Sequence, residues 1–214
     1  NAGTASLAEN VPVKDTDIEG LQRFAKDNAV DLTVIGPEAA LAEGIVDSFR
    51  AAGLRIFGHT KAAARIETSK EYAKQVMARY DVPTAAYRTF TDYSRALEYV
   101  SSRPFPSVLK YDGLAAGKGV VIARDIVEAE AALKDMLLDG RFGDGKVVIE
   151  DFLTGPEFSF MCFVSGNRIW PMPLAQDHKR ARDGDTGLNT GGMGTLLFTI
   201  LGIILMIIAM IKKM

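Results

Sequence analysis

The stretch VLKYDGLAAGKGV, from Val108 to Val120, contains Lys110 and Lys118 within a run that is rich in glycine. Glycines let backbone N–H groups approach a ligand closely, and two ammonium groups beside them suit a polyphosphate. The run differs from the phosphate loop GxxxxGK[ST], because Asp112 replaces its first glycine and Gly119 replaces its final Ser or Thr. We therefore predict a different kind of phosphate-binding loop.

The residues on both sides of this loop indicate strands. The segment VVIA (Val120–Ala123) is rich in β-branched residues, and Pro106–Lys110 before the loop is also predicted to be a strand. A phosphate loop, in contrast, must open a helix. The glycines are therefore predicted to form the bend between two strands, a flap that closes over phosphates.

The first third of the chain alternates between strand and helix patterns. We predict a helix at 17–28, a strand at 31–36, a helix through Leu41, Ile45 and Phe49 that ends at Gly53, and a strand at 54–57. Strands joined in this way by helices indicate a parallel sheet. Gly36, Pro37 and Glu38 would then lie at the carboxyl end of a strand, where open α/β sheets bind ligands.

The rest of the chain is richer in strands. Thr68 to Glu71 matches a capping box that opens a helix to about Tyr80. Its apolar face is predicted to carry Tyr72, Val76 and Tyr80, with Lys70 and Lys74 pointing elsewhere. Further elements are predicted at 87–90 (strand), 92–100 (helix), 126–138 (helix), 146–150 (strand) and 158–172 (hairpin). Asp177–Gly194 is predicted to be a long irregular loop, which inside a compact domain is usually functional.

Composition restricts the function classes. The chain has 214 residues with a net charge of −2, which gives no support to binding of nucleic acid. Cys162 is the only cysteine, so an intrachain disulfide is excluded. Thr195–Ile211 contains no charge and as a helix would reach about 25 Å, close to the thickness of a bilayer core. This tail predicts either membrane association through 195–211 or a frame change or junction with unrelated sequence.

Four stretches together resemble the phosphoribosylamine–glycine ligase family of the ATP-grasp superfamily. They are the flap, IGPEAALAEGIVDSFRAAGLRIFG (Ile35–Gly58), VVIEDF (Val147–Phe152) with Glu157, and DHKRARDGDTGLNTGGMG (Asp177–Gly194). The resemblance extends from Asn1 to Gly194. It implies a partial Rossmann-like pre-ATP-grasp α/β domain at 1–65, a partial ATP-grasp α+β domain at 66–194, and the apolar tail at 195–214.

The resemblance also implies an activity. Family members ligate glycine to 5-phosphoribosylamine through a glycyl phosphate, forming glycinamide ribonucleotide, ADP and phosphate in cytoplasmic purine biosynthesis. The cofactors are ATP and Mg²⁺ or Mn²⁺, and the partners are these small molecules. The metal-binding Glu and Asn of the family would follow Gly194, so we assign neither a metal ligand nor a catalytic residue here. We expect this 214-residue chain to lack ligase turnover.

Site residues are carried over only where this sequence matches the family. ATP contacts are implied for Lys70, Lys110, Gly113, Gly117, Lys118, Gly119, Glu150 and Glu157. Substrate contacts are implied for Gly36, Pro37, Glu38, Asp177, His178, Lys179, Arg180, Asn189, Thr190, Gly191 and Gly192. The position of Asp112 within the flap leaves two alternatives, a side chain in solvent or one that orients the loop.

Two other functions remain open. One is a different ATP-grasp carboxylate–amine ligase, against which the Asp177–Gly194 stretch argues. The other is a non-catalytic, membrane-tethered nucleotide-binding protein, which the tail alone suggests. Cell fractionation would distinguish the membrane-tethered protein from the ligases. An ATP titration would test the nucleotide binding that all of these functions require.

Overall fold

The computed structural model describes residues 3–115, 119–139, 143, 145–178, 180–184, 186–189 and 195–197. The chain forms two compact units, Asn1–Phe152 and Leu153–Met214. The first unit contains α1 (Ile18–Asp27), β1 (Thr33–Val34), α2 (Glu38–Glu43), α3 (Ile45–Ala51), β2 (Ile56–Phe57), α4 (Lys61–Thr68), α5 (Lys70–Arg79), β3 (Tyr87–Phe90), α6 (Tyr93–Ser101), β4 (Ser107–Tyr111), β5 (Val120–Ala123), α7 (Ile126–Leu137) and β6 (Val147–Asp151). The second contains β7 (Cys162–Ser165), β8 (Arg168–Pro171), β9 (Ala175–Asp177), β10 (Arg180–Arg182), β11 (Thr186–Asn189) and β12 (Thr195–Leu197).

The N-terminal part of the first unit is a small α/β arrangement. β1 and β2 pair in parallel, with Thr33 opposite Ile56, which confirms the predicted parallel sheet. Ile45 and Phe49 of α3 are fully buried in a core to which α1 and α2 also contribute. The apolar residues that recur every four positions therefore do form the buried side of this part.

The single helix predicted through Leu41, Ile45 and Phe49 is wrong, because the structure has two helices there. Gly44 ends α2 in a left-handed conformation, with φ of 88°, and begins α3. A residue with a β carbon adopts that conformation at a cost, so glycine allows the chain to turn between two short helices. The predicted end at Gly53 is confirmed.

Residues after Phe49 close α3 with a Schellman motif. The Leu54 N–H donates to the Phe49 carbonyl at 2.9 Å, and the Gly53 N–H donates to the Arg50 carbonyl at 3.0 Å. Gly53 has φ of 72°, the left-handed value that this motif requires. The motif turns the chain from α3 into β2.

The capping box predicted at Thr68 is also wrong. Thr68 is the last residue of α4, a helix that the sequence interpretation did not include. Ser69 instead caps α5, and its hydroxyl accepts from the Tyr72 N–H at 3.1 Å. A box needs the Glu71 carboxylate to bond back to its cap residue, and here that carboxylate bonds elsewhere.

An antiparallel four-stranded sheet forms the rest of the first unit. The strand order is β3-β6-β4-β5, and α6 and α7 bury Leu109 and Ile149 on one of its faces. Leu133 of α7 is a fully buried member of the same cluster. Side chains alternate along a strand, so Lys110 and Glu150 lie on the opposite face.

The second unit consists of short antiparallel pairs. β7 and β8 form the predicted hairpin, with Phe163 opposite Trp170, although β7 is shorter than expected. The prediction of irregular structure at Asp177–Gly194 is wrong for Arg180–Arg182 and Thr186–Asn189, which pair as β10 and β11, while residues 190–194 lie outside the described part. β12 pairs with β9, which ends at Asp177. Gly184 and Gly187 have positive φ, so glycine provides the turn and bend of the β10–β11 hairpin rather than preventing strands.

The predicted apolar tail begins as a strand. Thr195, Leu196 and Leu197 pair with β9, and the remaining tail residues, 198–214, lie outside the described part. Within the part of the chain that is described, no helix is both long and apolar enough to cross a membrane. Because Thr195–Leu197 form a strand, the prediction that a membrane helix starts at Thr195 is wrong, and the rest of the predicted span, 198–211, falls outside the described residues.

Candidate functional site

Charged side chains meet on the face of the four-stranded sheet that α6 and α7 leave uncovered. Lys110 of β4 lies opposite Val148 of β6, which places it diagonally across from Glu150. The Lys110 Nζ donates to Glu150 Oε2 at 3.0 Å. The Lys110 side chain is 30% exposed, whereas that of Glu150 is 6% exposed. An accessible ammonium group therefore lies above a buried carboxylate.

Lys74, which was predicted to point away from the apolar face of its helix, contacts the same carboxylate on the buried side of α5. Its Nζ lies 3.2 Å from Glu150 Oε2 and donates to the Thr84 hydroxyl at 2.7 Å and the Ala85 carbonyl at 3.2 Å. Lys74 is buried, and Tyr80, which was expected on the apolar face of α5, is 67% exposed. The buried side of α5 thus carries a charge.

The glycine flap joins β4 to β5 as predicted. Lys110 pairs with Val120, and the Tyr111 N–H donates to the Gly119 carbonyl at 2.7 Å. Gly119 is buried and Gly113 is half-buried at the two ends of the flap. The predicted ATP contacts Gly117 and Lys118 lie outside the described residues.

Asp112 links the base of the flap to the first turn of α5, which answers the question left open by its sequence position. Its carboxylate accepts from the Glu71 N–H at 3.1 Å and from the Ser69 hydroxyl at 3.3 Å. A carboxylate at a helix N-terminus also interacts favourably with the helix dipole. Asp112 therefore orients the flap.

Lys70 makes a second link between α5 and the flap. Its Nζ donates to the Gly113 carbonyl at 2.9 Å. Burial lowers the pKa of Lys70 from its usual value, while the nearby carboxylate of Asp112 opposes this change. The positive charge of Lys110 lowers the pKa of Lys70 further.

A second ion pair fixes α5 against the sheet. The Glu71 carboxylate accepts hydrogen bonds from Lys146 and from the Thr89 hydroxyl, the latter at 2.9 Å. The hydrogen bond from Lys146 lowers the pKa of Glu71, and the same bond raises the pKa of Lys146. The helix that provides Lys70 and Lys74 is therefore held at its first turn by β3 and by the residue before β6.

The predicted substrate residues of the first unit lie after β1. Gly36, Pro37 and Glu38 are exposed, and Pro37 is the N-cap residue of α2. Glu38 borders a surface cavity of about 340 Å³ together with His59 and Glu67. Apolar side chains of α2 and α4 complete the wall, so the cavity combines carboxylates with an apolar surface.

The remaining predicted site residues belong to the second unit. Glu157, Asp177 and His178 are exposed, while Arg180 and Asn189 lie opposite each other in the β10–β11 pair. Lys179, Thr190, Gly191 and Gly192 fall outside the described residues. Among the residues that are described, no group of three or more His, Cys, Asp and Glu side chains could hold a metal ion.

Sequence reasoning missed Lys74, Ser69, Glu71 and Lys146 as residues that build the site. The available signal was that Lys74 lies four residues after Lys70, which places both lysines along one side of a helix. Lys74 was placed only off the apolar face, because lysine is seldom buried without a partner. Its partner, Glu150, comes from a strand 76 residues further along the chain.

The flap between β4 and β5, with lysines from β4 and α5 beside it, characterises an ATP-grasp fold. Solved structures agree: D-alanine–D-alanine ligase from Bacillus anthracis superimposes with a TM-score of 0.64 at 19% identity, covering 92% of this chain and 62% of that chain. At that identity the likeness establishes the fold alone.

The chain belongs to the phosphoribosylglycinamide synthetase family. The model of the family's N domain matches residues 1–67, and that of its ATP-grasp (A) domain matches residues 68–201. The ATP-grasp match extends beyond Gly194, where the resemblance was expected to stop. It includes β12, the strand at the start of the predicted tail.

Curated relatives carry the name phosphoribosylamine–glycine ligase. The chain is 54% identical to that of Pasteurella multocida over 198 residues, which are 91% of this chain and 46% of the relative. It is 56% identical to that of Listeria innocua over 186 residues, which are 86% of this chain and 44% of the relative. The crystal structure of the Thermotoga maritima ligase superimposes with a TM-score of 0.72 at 34% identity, covering 91% of this chain and 47% of that chain. The chain thus spans slightly less than half the length of these relatives.

Proposed function

We propose that this chain carries the ATP site of a ligase that joins glycine to 5-phosphoribosylamine through glycyl phosphate and yields glycinamide ribonucleotide, ADP and phosphate, while the 214 residues alone are still expected to lack turnover. The observation that carries the proposal is the accessible ammonium of Lys110 beside the glycine flap, with Lys70 bonded to the flap itself. The family match supports the choice of reaction. Action in the cytoplasm stays a prediction from the family.

The donors around the flap fit a polyphosphate. Lys110 and Lys70 supply two ammonium groups, and the glycines let the backbone come close to phosphate oxygens. Positive charge near the phosphates stabilises the charge that develops when the terminal phosphoryl group is transferred. We assign orientation of the triphosphate to Lys110 and orientation of the flap to Lys70 and Asp112.

Mg²⁺ or Mn²⁺ is expected from the family, but the residues described here do not fit such an ion. Divalent cations of this kind need several oxygen ligands, and the described residues contain no suitable cluster of carboxylates. No step is therefore assigned to a metal held by these side chains. For the described residues we propose positioning of ATP alone.

Phosphoribosylamine is assigned to the cavity beside α2. Glu38 borders this cavity after the carboxyl end of β1, the place where open α/β sheets bind ligands. A carboxylate accepts hydrogen bonds from an amine or from ribose hydroxyls. We also propose substrate contacts for Asp177, His178, Arg180 and Asn189, which rest on the family match alone.

An ATP titration of the purified 214-residue chain tests the nucleotide site. Loss of a charge-assisted contact costs about 1.5–3 kcal/mol, so Lys110→Ala should weaken ATP binding about 12- to 150-fold. Lys134→Ala is the matched control, because it removes the same atoms from an exposed position of α7, on the other side of the sheet. Equal ATP affinity in a folded Lys110→Ala variant would reject the assignment.

Binding of the reaction product tests the substrate cavity. Glycinamide ribonucleotide should raise the melting temperature of the chain, because a ligand that binds only the folded state stabilises it. Glu38→Gln should reduce this increase, whereas Glu43→Gln, at the exposed other end of α2, should leave it unchanged. An equal increase in both variants would place the ribonucleotide elsewhere.

A further inference from the structure

Lys74 is a buried cation that the proposed nucleotide site does not use. An ammonium has three N–H donors, and three oxygens surround this one, from Thr84, Ala85 and Glu150. Its Nζ also lies 5.3 Å from the centre of the Tyr87 ring. All of its donors are thus matched within the protein, which separates Lys74 from a lysine that contacts a ligand.

Lys74 shares its carboxylate partner with the lysine that is assigned to ATP. Oε2 of Glu150 lies 3.2 Å from the Nζ of Lys74 and 3.0 Å from the Nζ of Lys110. The two lysines differ in access, since the Lys110 side chain is 30% exposed and the Lys74 side chain is 6% exposed. Lys110 can therefore leave Glu150 to contact a ligand, whereas Lys74 remains paired with Glu150.

We propose that Lys74 is a positioning residue, which keeps the buried carboxylate of Glu150 paired when Lys110 leaves it for the phosphates of a nucleotide. A buried carboxylate that loses its last cation is strongly destabilised. Without Lys74, Glu150 would therefore retain Lys110 and compete with the phosphates for it. This inference rests on the proposed function, because it requires that ATP binds at the flap.

The test compares ATP and adenosine binding in Lys74→Met, a substitution of similar shape without the charge. ATP affinity should fall at least about tenfold, because ATP can bind Lys110 in this variant only by leaving the buried carboxylate of Glu150 without a cation. Adenosine has no phosphate, so its affinity, measured by competition, should change less than about twofold. An equal loss for both ligands would overturn the inference, because Lys74 would then support the nucleoside and not the exchange of Lys110.

Replacement of the carboxylate separates this role from a purely structural one. In a Glu150→Gln background, Lys110 has no buried charge to leave behind, so adding Lys74→Met should change ATP affinity less than about twofold. A tenfold loss in both backgrounds would show that Lys74 acts only through packing, and would reject the proposal. This pair also decides the question if Lys74→Met alone does not fold, since the double variant contains no unpaired buried carboxylate.

The controls keep the two proposals distinguishable. Lys134→Met, at an exposed position of α7, should leave ATP affinity unchanged. If the wild-type chain does not bind ATP, the proposed function fails and this inference fails with it. If the wild type binds ATP and folded Lys74→Met binds it equally well, only the role of Lys74 is refuted.

Discussion

Asp112→Ala should both destabilise the first unit and weaken ATP binding, because this carboxylate joins the flap to α5. The substitution removes acceptors for the Glu71 N–H and the Ser69 hydroxyl, at 3.1 and 3.3 Å. A carboxylate that accepts at a helix N-terminus contributes about 1 kcal/mol, and its interaction with the helix dipole adds about 0.3–1 kcal/mol. We expect a loss of about 2 kcal/mol, which lowers the melting temperature of a chain of this size by about 4–8 °C.

The effect of Asp112→Ala on ATP affinity follows from how well ordered the flap is before ATP binds. In the variant, the flap base is no longer held at α5, so ATP must order it on binding at a cost of about 0.5–1.5 kcal/mol. ATP affinity should therefore fall about 2- to 13-fold, as measured by calorimetric titration. The cost should appear in the dissociation constant even at temperatures where the variant is fully folded.

Asp92→Ala provides the matched control. Asp92 also caps a helix, since its carboxylate accepts from the Arg95 N–H at 2.8 Å at the start of α6, and within the described part of the flap no residue bonds to it. It should lower stability by about 1 kcal/mol and leave ATP affinity unchanged. An Asp112→Ala variant that melts like the wild type and binds ATP like Asp92→Ala would refute the role assigned to Asp112.

Three further predictions concern stability. The hydrogen bond from Lys146 holds the folded pKa of Glu71 below its ordinary value of 4.5, so the ion pair contributes stability above that pH and loses it as the pH falls through the lowered pKa. The difference in urea midpoint between wild type and Glu71→Gln should therefore be largest near neutral pH and shrink as the pH falls below 4.5, and a constant difference would contradict this. Leu133→Ala should lower the free energy of unfolding, measured in urea, by about 2–5 kcal/mol, because the Leu133 side chain is fully buried. Val127→Ala, at an exposed position of the same helix, should change it by less than about 0.5 kcal/mol. Gly44→Ala should lower the free energy of unfolding by about 1–2 kcal/mol, because φ is 88° at this position. Gly36→Ala, with open space around its β carbon, should leave stability nearly unchanged. Similar urea midpoints for the two variants would show that alanine is not strained in the left-handed turn.

The sequence alone was sufficient for features that depend on neighbours along the chain. The strands on both sides of the flap, the helix at Ile126–Leu137 and the hairpin through Gly166 and Asn167 all follow from local periodicity and turn residues. The choice of Lys110 and the flap glycines as phosphate ligands came from residue type and from resemblance, and it stays a prediction until ATP binding is measured.

Local sequence patterns gave wrong helix boundaries where two helices follow each other directly. Leu41, Ile45 and Phe49 fit one helix, and only the left-handed Gly44 divides it. Thr68 and Glu71 fit a capping box, yet Ser69 takes the cap, and Glu71 is drawn to Lys146 and Thr89 from distant parts of the chain. In both places several local structures were compatible with the same residues, and packing selected one.

The tertiary structure alone decided which charges meet. Lys74 was placed only off the apolar face of its helix, because a helix pattern records polarity but not a partner. Glu150 lies beside it only because β6 pairs with β3 and β4. Asp112 likewise had two possible roles until the flap came to rest against the first turn of α5. A buried charge is stable only beside its counter-charge, and that pairing depends on contacts between residues far apart in the sequence. The residue types were therefore evident from the sequence, whereas the charge network at the candidate site emerged only from the fold.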